Sequence, residues 1–370
     1  MTLDELPVPP PSVAAHPVEI GGLRLANPLL LAPLAGVTIP ALRLLYSKLG
    51  AGAVHTEMIS CAGLLVSERQ SRKRNNTGDE GYEIVSPGSK TERMLAVLEG
   101  ESPVIAQLFA GDAETMARGA ECALGVQSKI VALGINMACP MPKVLKKGAG
   151  SKLLERPEVA FDMVRRLVPL GLPVWPKIRK CPPTLPLTTE AFCEGLLEAG
   201  AATVTVHGRT PAQRYTGEAD VSLLPRLATL FPGKVCASGD VFSPERAAEY
   251  LNGGCAAVMF ARGAIADPFL FPRTLAFLGY EVHNKYRNPS PDFQLSLLLD
   301  FGENVCAGSG PRIAVLMVKR LLSGMFKGLP GIGELRRAAA HILSWKELRG
   351  ILETCEVYFE RREEHSGCAS

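Results

Sequence analysis

Eight short runs of aliphatic and β-branched residues recur before residue 261, at Leu29–Ala32, Ala53–Thr56, Val104–Leu108, Ile130–Asn136, Val174–Ile178, Thr203–His207, Val235–Ser238 and Ala257–Phe260. Most are apolar on both faces, as the strands of a helix-covered parallel sheet must be. Helix-like stretches separate them, among them Asp112–Leu124, Pro157–Val168, Thr188–Glu198 and Ser243–Leu251. Eight such alternations predict the α/β class and a (β/α)8 TIM barrel. The rival, a doubly wound open sheet, wants a Gly-rich turn after its first strand. Here that turn is Pro33-Leu34-Ala35-Gly36, with no dinucleotide fingerprint. Val18–Leu25, with Gly21-Gly22 at its centre, reads as a hairpin plugging the lower end of the barrel. Ser67–Tyr82 is polar and unpatterned, and reads as a loop. After Phe271 the pattern lengthens into amphipathic runs at Phe293–Cys306, Ile313–Met325 and Ile332–Leu348, which predict a small all-α helical bundle. The expected organisation is an extension over 1–17, the barrel over 18–270, the helical domain over 271–362 and a frayed tail over 363–370.

Composition narrows the class. Apolar residues at 47% and charged residues at 21% exclude a disordered or fibrous chain. No apolar run approaches the roughly 20 residues of a membrane span, and Met1–Pro11 is acidic and proline-rich, unlike a signal peptide. The expectation is a cytoplasmic protein with no membrane association. The 10 cysteines form no CxxC pair and have no histidine at zinc spacing, so they read as reduced thiols with no metal. The net charge of +3 hides an uneven spread. Residues 271–350 hold 11 Lys and Arg against 6 Asp and Glu, whereas 351–370 hold 2 against 5. A basic helical region favours a polyanionic partner.

In a barrel of this kind the chemistry sits where the strands end. Nearly every strand here delivers polar residues to that rim: His55-Thr56-Glu57, Gln107, Asn136 with Cys139, Lys177 with Arg179, His207 with Arg209, Ser238-Gly239-Asp240 and Ala261-Arg262-Gly263. The last two, following strands seven and eight, suit a phosphate, because small residues let backbone N–H groups approach and Arg262 adds a charged fork. Lys177 lies within an apolar strand, where an ammonium needs an anionic partner. The anionic edge of a reduced flavin supplies one, which makes Lys177 and His207 candidates for tuning it; for His207 a structural role is the alternative. Gln107 suits the pyrimidine-like ring of the same cofactor. Cys139 leaves its strand on a loop over the mouth, where a thiol of ordinary pKa near 8.5 is a general acid or, with a base beside it, a nucleophile. Lys143, Lys146 and Lys147 follow it, either as phosphate contacts or as solvated loop lysines.

The segments "NPLLLAPLAGVTIPALRLL", "GAVHTEMIS", "INMACPMPKVLKKGAGSKLL", "PVWPKIR", "TVHGRT", "ASGDVFSPERA" and "VMFARGAIADPFLF" resemble the tRNA-dihydrouridine synthase family, from about Val18 to Leu348, and "KGLPGIGELR" resembles its RNA-binding domain. The resemblance implies an FMN enzyme in which NADPH reduces the flavin, hydride passes from flavin N5 to C6 of a uracil in tRNA, and a cysteine protonates C5. Carried over by position, Cys139 is the proton donor. Pro33, Leu34, Ala35, Gln107, Lys177, His207, Ser238, Gly239, Asp240, Ala261 and Arg262 fall on cofactor positions. Asn136, Arg209, Lys143, Lys146 and Lys147, with Lys319 and Arg320 of the helical region, are the expected substrate and tRNA contacts. Ala138 stands where glycine is usual, Ser238 where asparagine is, Leu34 where methionine is, and Ile39 where aspartate often follows Val-Thr. The rival readings are an FMN-dependent dehydrogenase of free pyrimidines, which has no need of a basic helical domain, and a non-catalytic RNA-binding barrel. No obligate protein partner is expected.

Overall fold

The computed structural model describes residues 17–66, 90–329 and 331–354. Residues 1–16 of the expected extension, the expected loop at 67–82, and residues 355–370, which include the tail expected over 363–370, lie outside the described residues. An antiparallel hairpin, β1 (Val18–Ile20) with β2 (Leu23–Leu25), precedes β3 (Leu29–Leu31), β4 (Ala53–His55), the two-residue β5 (Ile59–Ser60), β6 (Val104–Phe109), β7 (Ile130–Met137), β8 (Val174–Arg179), β9 (Val204–His207), β10 (Val235–Ser238) and β11 (Ala257–Phe260). Each strand from β3 onward pairs in parallel with its neighbours, β11 returns to β3, and β4 pairs with β6. The result is a closed eight-stranded TIM barrel, with β5 a short addition along β6.

The helices between and after the barrel strands include α1 (Pro40–Lys48), α2 (Lys90–Leu95), α3 (Ala113–Val126), α4 (Pro142–Leu145), α5 (Pro157–Leu167), α6 (Thr189–Glu198), α7 (Leu223–Leu230), α8 (Pro244–Asn252), α9 (Arg262–Ala266) and α10 (Leu270–Phe277). Three begin on side-chain caps: Asp112, Thr188 and Ser243 each accept a backbone N–H of the first turn. The N-cap of α1 is Ile39, whose side chain has no oxygen to offer, so α1 begins without a side-chain cap.

Along each strand, outward side chains such as Leu31, Val54, Leu133, Val206 and Phe260 join the core beneath the helices. Inward ones such as Leu30, Ala53, Ile105, Trp175 and Met259 form a separate inner cluster with Ile20 and Leu25 of the hairpin. The hairpin therefore plugs the barrel. Gly21, at φ 53°, accepts the Trp175 indole N–H at 2.9 Å and lies so close to that ring that a Cβ would overlap it.

The helical region contains α11 (Asn284–Arg287), α12 (Pro291–Ser309), α13 (Pro311–Leu322), α14 (Ile332–Ala340) and a further helix over 345–354. α12 packs on α1 and pairs with α13. The expected division at 270/271 falls inside α10, whose Phe271 ring packs 4.7 Å from Phe260 and 5.5 Å from Tyr46. The run Ile332–Leu348, expected as one helix, is two. The Lys319 ammonium donates to the carbonyls of Ala340 and Ile342 and caps α14, and the chain restarts as helix at 345.

Candidate active site

The inner positions of the barrel turn from apolar to polar toward the strand ends. Ala53 gives way to His55, Ile105 to Gln107, Trp175 to Lys177 and Arg179, and Cys236 to Ser238, each two residues on and hence on the same face. Register brings them together: Asn136 lies beside Lys177, Arg179 beside His207, and His207 beside Ser238. They open on a cavity of about 280 Å³. Its walls include Cys139, Asn136 and all the expected cofactor residues except Gln107, which sits deeper, with its whole side-chain amide buried and without a hydrogen-bond partner.

The loop carrying Cys139 is held at every backbone polar group of Ala138 and Cys139. The Asn136 side-chain oxygen accepts both N–H groups, at 3.1 and 3.0 Å. Arg179 Nε donates to the Ala138 carbonyl at 2.9 Å, and Ser151 N–H donates to the Cys139 carbonyl at 3.0 Å. Gly150, at φ 65°, lets the following segment close on that carbonyl, to which an added Cβ would stand at 2.5 Å. Burial raises the Cys139 thiol above its ordinary pKa, although the Met141 N–H and the charges of Arg179 and Lys177 pull the other way. The sulfur is therefore a thiol at neutral pH.

Three cations, Lys177, Arg179 and Arg262, line the cavity against one carboxylate, Asp240. Burial, then Arg179, lowers Lys177 to about 7. Burial and the surrounding cations lower His207 to about 2, so His207 is a neutral ring that acts through its N–H and its lone pair rather than through a charge. His55, lowered by burial to about 4, is neutral as well. Its Nδ1 lies 2.8 Å from the Leu31 carbonyl, which only accepts, so Nδ1 carries the proton. Burial favours a neutral Asp240, but bonds from Arg209, the Ala219 N–H and the charge of Arg262 outweigh it and hold the carboxylate ionised. Arg209 grips Asp240 through two 2.6 Å bonds, and Arg262 meets it at 2.9 Å.

Several expected contacts lie elsewhere. Arg209 is 2% exposed and engaged by Asp240 and the carbonyls of Thr216 and Gly217, so its side chain braces the site rather than reaching a substrate. Lys319 caps α14, and Arg320 donates to the Gly36 carbonyl at 2.8 Å, so neither is a free surface cation as a tRNA contact was expected to be. Lys143, Lys146 and Lys147 are exposed on and after α4, beside the cavity's Cys139 loop but not in its wall. Wall residues without an expected role include Arg179, Met58, Met141, Tyr215 and Phe242. Arg179 was open to discovery, because it stands two residues after Lys177 on the same strand. Arg179 donates to the Thr210 and Arg214 carbonyls as well as to Ala138, and so ties the cysteine loop to the loop after β9. Tyr215 and Phe242 flank the Arg262 guanidinium at 4.9 and 5.5 Å from their ring centres. Among the described residues no cluster suits a metal ion, and no helix is long and apolar enough to cross a membrane.

Residues 30–362 match the family model described as dihydrouridine synthase (Dus). A probable tRNA-dihydrouridine synthase of Treponema pallidum is 32% identical, over 91% of this chain and 95% of its own. The tRNA-dihydrouridine synthase B of Pseudomonas putida is 33% identical, over 86% and 88%, and a probable tRNA-dihydrouridine synthase 1 of Synechocystis 30% identical, over 93% and 91%. With a closed barrel whose mouth carries the expected polar residues, these matches establish that the chain belongs to the dihydrouridine synthase family of flavin-dependent oxidoreductases.

Proposed function

We propose that the protein reduces the C5=C6 bond of uridine in tRNA to dihydrouridine, using FMN as the flavin and NADPH as the reductant, with Cys139 as the proton donor. The observation that carries this reading is the conjunction of a protonated thiol at the mouth with an unpaired amide deep in the barrel.

The residues present fit a flavin. A buried amide without a partner costs stability unless a ligand supplies a donor and an acceptor, and the edge of a flavin's pyrimidine ring offers both to Gln107. Lys177 has no acid paired to it among the described residues, and an anionic ring edge would raise its pKa and return it to the charged form. Ser238, Gly239, Ala261 and Arg262 would hold the phosphate, with Asp240 aiming Arg262. Bound there, the flavin supplies the hydride that C6 receives. Cys139 supplies the proton for C5, and the thiolate it leaves is stabilised by the Met141 N–H and the charges of Arg179 and Lys177 until solvent reprotonates it. Asn136 fixes the loop through its oxygen, while its amide N–H group meets only the Met58 sulfur at 3.0 Å, a weak acceptor that a uracil carbonyl would replace.

The exposed lysines at 143, 146 and 147 extend the positive mouth outward, which suits the phosphates flanking a uridine drawn out of its stack. The basic helical region is the proposed second contact with the RNA, and the cytoplasm, where tRNA is processed, the proposed location. The test is nucleoside mass spectrometry after incubating the flavin-loaded protein with NADPH and unmodified tRNA, with free uracil in parallel. Dihydrouridine in tRNA alone is the expected result. Reduction of free uracil alone would replace this reading with a pyrimidine dehydrogenase, and no product in either would leave an RNA-binding barrel.

A further inference from the structure

The loop that leaves β3 contributes Pro33, Leu34, Ala35 and Val37 to the cavity wall. Its backbone closes into a turn over residues 34–38: Leu34 N–H donates to the Thr38 hydroxyl at 3.1 Å, and the Leu34 carbonyl accepts the N–H groups of Val37 and Thr38, each at 3.0 Å. The tip is different. Ala35 and Gly36 are exposed, Gly36 is at φ 67°, and a Cβ there would meet nothing within 4 Å. Packing does not hold this tip, and a glycine tolerates rotation of its neighbouring peptide planes; within the turn the plane after Gly36 is held through the Val37 N–H, whereas the plane before it has no bond of the turn's own.

Two charged side chains from distant parts of the chain add to the hold of the turn. The Glu57 carboxylate accepts the Gly36 N–H, which fixes the peptide plane before the glycine. Arg320 of α13 donates to the Gly36 carbonyl at 2.8 Å and, with the Val37 N–H bond to Leu34, fixes the plane after it. Rotating either plane would turn a carbonyl toward the carboxylate or an N–H toward the guanidinium, so the two charges select one orientation of each. Just beyond α13, Gly324 rests on the backbone of Ile265 and Ala266 in α9, where a Cβ would come within 2.6 Å of three backbone atoms. α9 begins with Arg262. The α13 segment therefore meets both chain segments that flank the mouth, the loop after β3 and the helix after β11.

We propose that Arg320 and Glu57 are positioning residues for the flavin, and that the helical unit thereby completes the cofactor site as well as extending the protein toward RNA. This rests on the reading that the mouth holds a flavin. The experiment uses the full chain stripped of flavin, with the variants Arg320→Ala, Arg320→Lys, Glu57→Ala and Glu57→Gln, each checked for fold by circular dichroism. Backbone hydrogen exchange at residues 35–38 reads the loop directly, fluorescence titration reads FMN affinity, and filter binding reads tRNA affinity. Both alanine variants should exchange faster at 35–38 and bind FMN about tenfold more weakly, the scale of one charged hydrogen bond. The lysine and glutamine variants, each keeping a donor or an acceptor, should recover part of the loss, and tRNA affinity should hold. Unchanged exchange and FMN affinity in both alanine variants would overturn the proposal, as would loss of tRNA affinity alone in Arg320→Ala, which would make Arg320 an RNA contact. If the unsubstituted protein failed to bind FMN, the functional reading would fall, while the exchange measurement would still decide whether these two residues order the loop.

Discussion

Gly150→Ala tests whether the cysteine loop is a positioning device. At φ 65° an alanine pays about 1–2 kcal/mol for a left-handed backbone. The new methyl would also stand 2.5 Å from the Cys139 carbonyl and 2.8 Å from a Val144 methyl, where ordinary contact begins near 3.4 Å. The backbone oxygen has to retreat by about 1 Å, away from the Ser151 N–H that now holds it, and displacements of that size at a reacting group cost on the order of a hundredfold in rate. The assay separates the half-reactions. Bleaching of the bound flavin by NADPH does not use the thiol and should stay within about twofold of the unsubstituted enzyme, whereas single-turnover reduction of uridine in tRNA should fall by about 10- to 100-fold. The solvent deuterium isotope effect on that second step should rise, because the misplaced thiol makes proton delivery limiting. A parallel fall in both half-reactions would mean that the substitution merely loosens the barrel. Unchanged uridine reduction would show that the position of Cys139 is not what limits the chemistry.

Three further outcomes follow from the charged groups. Between the Lys177 value of about 7 and the ordinary 10.5, the unfolded chain holds a proton on this lysine that the folded chain lacks, so flavin-free protein should gain stability as pH rises through that window. Lys177→Met should flatten this part of the urea-denaturation profile, and an unaltered slope would place its source elsewhere. Asp240→Asn keeps a residue that tolerates φ 50° while removing the charge that holds Arg262, so FMN affinity should drop by about tenfold and riboflavin affinity should hold. Equal losses for the two ligands would rule out a phosphate role. Arg43 and Glu101 form an ion pair with both side chains wholly buried, so Arg43→Met should cost about 3–5 kcal/mol in equilibrium unfolding. A cost below about 1 kcal/mol would mean that water reaches the orphaned carboxylate.

The barrel was legible because each strand is a compact apolar run and three of the intervening helices carry their own N-terminal caps, Asp112, Thr188 and Ser243. The mouth was legible for the same reason in reverse: a lysine, a glutamine or a histidine inside an apolar strand needs a partner, and a closed barrel brings all of them to one end. Arginines misled, because their spacing does not reveal which way a long side chain turns. Arg209 looked like a substrate contact and is a buried brace, Arg320 looked like surface charge and reaches the loop after β3, and Arg179 received no role yet laces two loops together. Apart from the Thr216 and Gly217 carbonyls on Arg209, these partners are carbonyls and a carboxylate 31 to 284 residues away, invisible to any local pattern. The interruption of Ile332–Leu348 is of the same kind, since the group that ends α14 is a lysine of another helix.

Burial alone does not separate scaffold from site in this protein, but burial taken with pairing and place does. Arg43 and Glu101 are as deeply buried as any charges in the chain, and each is met in full: Arg43 by Glu101, Thr38 and Ala96, and Glu101 by Arg43 and the Leu98 N–H. Burial still holds the Glu101 carboxyl above its ordinary pKa against the pull of Arg43, but breaking such a fully partnered pair would leave a buried charge alone. Gln107 is buried at comparable depth without a hydrogen-bond partner, and Lys177, half-buried in the cavity wall, is driven toward its neutral form, so the fold bears their cost uncompensated. Missing partners are not sufficient evidence either, since the Trp345 indole N–H and one Asp292 oxygen in the helical region also lack them. What singles out Gln107 and Lys177 is that both project inward at the strand ends of one barrel, with a protonated thiol at the mouth above them. A planar ligand with a donor, acceptors and an anionic edge is the class of molecule that would recover the whole of that cost at once.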